Sequence, residues 1–441
     1  MTEIDTAVDE KPRVSSAITR LVLHDFKGFH HSELDMSGFT VVVGTNASGK
    51  SNLRDAFRFL HGIGRGYTLA EIIGEKWIEG GVPVWRGIRG GTREATFENA
   101  GSFSLEVRIA ILANGKRRTA IYAIEVNVPT DGRTVRVLRE RLEVEGKGSF
   151  ILDSQPVVDT ARHNSQRYVR LRRWRKRVGS VDGLIDRPAL SQVADDQKSP
   201  RDARAYAELT LEALRSMRFL DLSPEAMRLP SIPGQVVLGD RGENLSSVLQ
   251  AICEDPARKS AITGWLRQLT PLDVVDFDFA QDAAGRVLLA LIEADGRRVS
   301  ANSASDGTLR FLAMIGAFLG PDPARFYFLE ELETGLHPTR LNLLLELIET
   351  QTSRGISQVV ATTHSPQLLT LLSEQSMEAA VLAYRLRGHQ DQRLTRIVDL
   401  PDARRVLKSQ DLMRLHATGW LEDATEFAEP EGERPATGAT G

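Results

Sequence analysis

The octapeptide Gly44-Thr45-Asn46-Ala47-Ser48-Gly49-Lys50-Ser51 fits G-x-x-x-x-G-K-[ST], the pattern of a phosphate-binding loop. It is preceded by Phe39-Thr40-Val41-Val42-Val43, a β-branched run that predicts a strand. It is followed by 52–60, where Leu53, Ala56, Phe57 and Leu60 fall on one helical face. Strand, glycine loop and helix in that order form the setting such a loop requires, which argues against a chance glycine turn. Gly44 and Gly49 let successive backbone N–H groups converge on phosphate oxygens. The helix starting near Lys50 turns its positive end to the same anion. The Lys50 ammonium is suited to the β- and γ-phosphates, and the Ser51 hydroxyl to Mg²⁺.

A second group of motifs lies far downstream. Phe326-Tyr327-Phe328-Leu329-Glu330-Glu331 is an apolar strand ending in two carboxylates. In α/β sheets ligands bind at the carboxyl ends of strands. Glu330 is therefore expected to hold Mg²⁺, directly or through water, and Glu331 to polarise an attacking water. Paired acids at a strand end also occur as a solvated helix start. The next strand ends in Ala361-Thr362-Thr363-His364-Ser365-Pro366, which places His364 to bond a γ-phosphate or that water. Ser305-Asp306-Gly307-Thr308 precedes a helical pattern. Ser305 or Asp306 reads either as an ordinary N-cap or as part of an anion site of hydroxyl, glycine N–H and helix start.

Between these motifs, 95–128 alternates apolar and polar residues around Asn114-Gly115 and predicts a hairpin, with a further strand over 134–144. Strands and helices alternate after 287, the sign of a mixed or parallel sheet covered by helices. Expected boundaries are a disordered leader over 1–16, an N-terminal lobe over 17–150 and an inserted basic arm or lid over 151–220. A C-terminal lobe over 221–400 and a helix with an acidic tail over 401–441 complete the scheme. The 441 residues carry a net charge of -3, with 41% hydrophobic and 26% charged residues, which suits a substantial core and excludes a chain that is basic throughout. One cysteine, Cys253, excludes a disulfide framework or a zinc finger. No signal peptide or membrane-length apolar run is read, so a cytoplasmic protein without a membrane partner is expected.

The order of these motifs resembles the ABC/SMC-like ATPase heads. Within them the chain is most similar to bacterial AAA/ABC-type ATPases related to OLD-family and RecF-like proteins. The opening FKGFHHSELDMSGFTVVVGTNASGKSNL carries the same likeness. The resemblance implies a P-loop NTPase α/β fold: a mixed sheet flanked by helices, an antiparallel β subdomain and an inserted basic helical arm. It implies ATP and Mg²⁺ as ligands, with 44–51 and Asn52 at the nucleotide. Lys50, Glu331 and His364 would be catalytic, and Ser51 and Glu330 would hold the metal. Ser305, Asp306, Gly307 and Thr308 would contact the γ-phosphate of ATP held by a second copy, so an ATP-dependent head-to-head homodimer is expected. The 333–337 segment takes the D-loop position. Leu332 stands where proline is usual, and neither Gln166 nor Gln192 is assigned as a Q-loop residue.

Residues 162–177 gather Arg167, Arg170, Arg172, Arg173, Arg175, Lys176 and Arg177 around Tyr168 and Trp174. Such a patch suits a phosphate backbone through counterion release, with aromatics for stacking, and points to DNA. A solvated arm or a dock for an acidic partner is the alternative. OLD-type nucleases need Asp-x-Asp metal sites, and none follows His364. The chain is thus expected to hydrolyse ATP, coupled to DNA sensing in genome maintenance or antiphage defence. The competing expectation is a slow ATP switch controlling a separate effector protein, a nuclease or toxin.

Overall fold

The computed structural model describes residues 16–79, 81–113, 115–131, 133–148, 150–156, 166–172, 178–267, 274–386, 388–400 and 403. In chain order its elements begin with β1 (Ser16–Phe26), β2 (Phe29–Asp35), β3 (Phe39–Val43), α1 (Lys50–Gly64), α2 (Leu69–Ile73), β4 (Lys76–Ile78) and β5 (Val82–Trp85). There follow β6 (Ser102–Ala113), β7 (Lys116–Asn127), β8 (Arg136–Val144), β9 (Leu152–Pro156), β10 (Gln166–Arg172), β11 (Val178–Leu184), α3 (Ala189–Asp195), α4 (Arg201–Arg215) and β12 (Met217–Leu220). Next come α5 (Pro224–Met227), α6 (Leu245–Cys253), α7 (Pro256–Arg267), β13 (Val274–Gln281), β14 (Val287–Glu293), β15 (Arg298–Ser300) and α8 (Asp306–Leu319). The series ends with β16 (Phe326–Leu329), α9 (Pro338–Ser353), β17 (Gln358–Thr363), α10 (Glu374–Glu378), β18 (Val381–Arg385) and β19 (Gln392–Arg396).

The chain divides into two compact units. One holds Gly38–Val41 and Arg218–Ser376. Its sheet runs β12-β16-β17-β3, with β16 and β17 parallel and Leu329 opposite Ala361. Every residue of β16 and β17 is buried, as expected of parallel strands covered on both faces. Helix α8 packs against α6 and α9, with Phe311, Leu312, Ile315 and Phe318 in the core. A three-stranded antiparallel sheet, β13-β14-β15, completes this unit.

The other unit comprises the described residues of Ser15–Ser37, Val42–Met217 and Met377–Gly441. Val42 and Val43 at the end of β3 pair in parallel with Val381 and Leu382 of β18, and β18 pairs antiparallel with β19. An eight-stranded sheet runs β11-β10-β9-β8-β7-β6-β1-β2. Its centre is the hairpin predicted from 95–128, with Leu105, Val107, Ile109 and Ile111 alternating into the core. Helix α1 packs on α4, where His61 Nδ1 lies 3.0 Å from the Leu214 carbonyl.

The insertion differs from the expected helical arm. Its described residues 152–184 extend the antiparallel sheet as β9, β10 and β11, and helices follow only at α3 and α4. The physical reason is a period of two: Val169 and Leu171 are buried while Arg170 between them is exposed. The closely spaced arginines conceal that alternation in the sequence. Of the expected leader over 1–16 all but Ser16, which opens β1, lies outside the described residues, as do 173–177 and all but residue 403 of the expected 401–441 segment. Among the described residues no helix is long and apolar enough to cross a membrane.

Candidate functional site

In the unit that carries the phosphate loop, 44–49 link the buried end of β3 to α1. Gly49 has φ 108 and forms the N-cap of α1 without a side-chain cap. Only glycine takes that conformation readily. No acidic residue occupies the first turn of α1, so its leading N–H groups meet no competing local anion. Ala47 also has positive φ, 65. The Ser48 hydroxyl is buried and has no hydrogen-bond partner among the described residues. Lys50 Nζ lies over the loop, donating to the carbonyls of Gly44 at 2.5 Å and Thr45 at 2.8 Å. A β-carbon at Gly44 would collide with Ser48 Oγ and the Ala383 carbonyl. An uncapped helix start, an orphaned hydroxyl and a lysine over the loop fit a triphosphate. The exposed Ser51 hydroxyl supplies the hard oxygen that Mg²⁺ prefers.

Three groups around this loop carry no motif of their own. Lys27 Nζ donates to Asp55 Oδ2 at 2.8 Å and to the Arg89 carbonyl at 2.7 Å. The Arg89 guanidinium also bonds Asp55, at 3.2 Å, and donates to the Ser51 carbonyl. Asp55 thus fastens the turn between β1 and β2, and the 89 segment, to the first turns of α1. Its signal was faint: a carboxylate set among Leu53, Ala56 and Phe57. Asn52 bonds Gln392 of β19 at 2.9 Å, and nothing near 392 in the sequence marks that contact.

In the other unit, Glu330 and Glu331 follow β16. Glu331 has φ 48, a left-handed backbone strained for a residue with a β-carbon. It is held there by bonds to neighbours: its N–H donates to Thr362 Oγ1 at 3.2 Å, and Thr334 Oγ1 donates to its carboxylate at 3.1 Å. The Leu332 N–H donates to the Thr362 carbonyl at 3.1 Å. Proline at that position could not make this bond. His364 follows β17, with its backbone N–H and ring Nδ1 both on Glu333 Oε1, at 3.0 and 3.1 Å. Glu333 Oε2 is buried with no hydrogen-bond partner among the described residues.

Residues 305–308 also lie in this unit, at the start of α8. Ser305 is its N-cap: Thr308 N donates to Ser305 Oγ at 3.2 Å, and the two hydroxyls are 2.7 Å apart. Asp306 accepts from Arg228 at 2.6 Å. Gly307 packs against the Gly335 carbonyl so closely that a β-carbon would collide with it. Arg340, from the first turn of α9, donates to Thr308 Oγ1 at 3.2 Å, and burial lowers its pKa. The N-cap reading of Ser305 therefore holds, with a cation added that the motif itself does not contain.

The basic stretch is only partly visible. Arg167, Arg170 and Arg172 lie on β10, and 173–177 lie outside the described residues. Arg170 is not a free phosphate ligand, because it pairs with the buried Asp153 and lies over the Phe150 ring. Among the described residues, no group of three or more His, Cys, Asp or Glu could hold a metal ion.

The profile of one protein family, "AAA domain, putative AbiEii toxin, Type IV TA system", matches residues 39–370. No curated protein matches the chain. Solved structures to which the chain shows similarity include an SMC head bound to the C-winged helix domain of ScpA. It shares 14% identity at a TM-score of 0.44, over 86% of this chain and 96% of that one. The SMC head domain from Thermotoga maritima shares 16% identity at a TM-score of 0.41, over 86% and 98%. An SMC head domain with a coiled coil and joint from Pyrococcus yayanosii shares 12% at 0.42, over 89% and 99%.

Proposed function

This chain belongs to the AAA domain family whose profile it matches over residues 39–370, and from that premise we propose that it is a P-loop ATPase with an SMC-like head that binds and hydrolyses ATP. The observation that carries the reading is the 44–51 loop: glycine-capped, uncapped by any side chain, with Lys50 folded over it and Ser48 Oγ unpartnered. In this reading the β- and γ-phosphates occupy the N–H groups at the start of α1, and Lys50 leaves the loop carbonyls for them. Ser51 and Glu330 would hold Mg²⁺, which would supply charge neutralisation at the phosphates. Glu331 accepts the proton of the attacking water, and the Thr334 hydroxyl on its carboxylate holds the side chain's direction. His364, aimed by Glu333, donates to the γ-phosphate or the water.

The remaining roles extend this reading. Ser305, Asp306, Gly307 and Thr308, with Arg340 beside them, would meet ATP held by a second copy in a head-to-head dimer. DNA would be sensed through the basic residues of 162–177 other than Arg170, in genome maintenance or antiphage defence in the cytoplasm. A second reading is that of an ATP-dependent switch. In it, slow hydrolysis times the control of a separate effector protein.

The test is ATP turnover by the purified chain with and without double-stranded DNA, at low and moderate salt. DNA stimulation that fades with salt supports the sensing reading. Slow turnover indifferent to DNA supports the switch. Absence of ATP binding would sink both.

A further inference from the structure

We propose that Gln392, on β19, is a positioning residue that sets the shape of the phosphate loop. This inference rests on ATP binding at 44–51. The Gln392 side chain spans Gly49 from both sides. Its Nε2 donates to the Ala47 carbonyl at 3.1 Å, on the loop. Its Oε1 accepts from Asn52 Nδ2 at 2.9 Å, in the first turn of α1. One planar amide thus fixes the spacing between the loop and the helix start, the interval that must fit a chain of phosphates.

The contact at Ala47 falls where the loop needs support. Ala47 is left-handed, φ 65, an unfavourable state for a residue with a β-carbon. Gln392 holds its carbonyl, and with it the plane of the Ala47–Ser48 peptide. The Ser48 N–H on that plane makes only a long bond, 3.4 Å, to the Thr45 carbonyl. It is available to an anion at little cost.

The backbone that carries this amide is itself held. Gln392 N donates to the Gly28 carbonyl at 2.8 Å, and Ser32 Oγ donates to the Gln392 carbonyl at 3.2 Å. The neighbouring Asp391 accepts the His30 N–H at 3.0 Å. A β-carbon at Gly28 would collide with the Gln392 amide, and one at Gly49 would stand 2.7 Å from its Oε1. Both approaches therefore need glycine. The phosphate loop is consequently tied to the β1–β2 turn through a residue that follows it by more than 300 positions.

The experiment compares the full-length chain with Gln392→Ala and Gln392→Met. Each is titrated with a fluorescent ATP analogue, then with inorganic tripolyphosphate as competitor, and folding is checked by circular dichroism. Methionine restores the volume between Gly28 and Gly49 but neither hydrogen bond. Loss of two neutral hydrogen bonds predicts affinity about tenfold weaker in both variants, by the same factor for ATP and tripolyphosphate. Wild-type affinity in Gln392→Met would overturn the inference, because space-filling alone would then suffice. So would a loss confined to ATP, because it would place Gln392 at the nucleoside. A wild-type chain that binds neither probe would instead overturn the ATP reading, and this inference with it.

Discussion

A single carboxylate oxygen, Glu333 Oε1, accepts the backbone N–H of His364 at 3.0 Å and lies 3.1 Å from its ring Nδ1. That contact turns the Nδ1 edge of the ring toward Glu333. A histidine oriented in this way presents one defined nitrogen to a substrate.

Removing that orienting group tests its role in turnover. Glu333→Ala should lower kcat on the order of tenfold, by analogy with carboxylates that orient functional histidines. Glu333→Gln, which keeps the acceptor oxygen, should recover most of the rate. Combined with His364→Ala, Glu333→Ala should cost nothing further, since the two act through one ring. Steady-state kinetics of the four proteins measure this; additive losses would count against it.

Asp55 should matter to stability more than any exposed charge. Lys27 and Asp55 retain only 5% and 1% side-chain exposure. Asp55→Ala leaves a buried ammonium with one carbonyl partner, and should cost about 3–5 kcal/mol in urea unfolding. The double replacement Lys27→Met with Asp55→Leu should be clearly less damaging than Asp55→Ala alone.

Glu331 should trade stability for function. At φ 48 a β-carbon is unfavourable, so Glu331→Gly should be about 1 kcal/mol more stable than Glu331→Ala, opposite to the usual order in regular structure. Paired denaturation curves decide it, and neither variant should hydrolyse ATP.

Cys253 should be inert. Burial raises its thiol pKa to about 11. At pH 8 the thiolate fraction is then about one in a thousand. Alkylation of the folded chain should be slow at pH 8, rise as pH approaches that pKa, and become fast at pH 8 only on unfolding.

The phosphate loop, the acidic strand end and His364 were legible because each is a short contiguous motif at the end of an apolar run. The β6–β7 hairpin was legible from its alternation. The strand β10 was hidden because arginines alternate with Val169 and Leu171. Lys27, Arg89, Arg340 and Gln392 were not legible at all. Each acts on a partner dozens to hundreds of positions away, and nothing in its own neighbourhood distinguishes it from a solvated surface residue. Leu332, a departure from the family pattern, became intelligible only when its N–H was seen to bond Thr362.

The most direct measurement is phosphate release from Mg²⁺-ATP by the wild-type chain and by Glu331→Gln, alongside ATP binding by both. The account predicts Mg²⁺-dependent release by the wild type, near-complete loss in Glu331→Gln, and ATP binding retained in both. Binding without release by the wild type, or equal turnover by the two proteins, would contradict it.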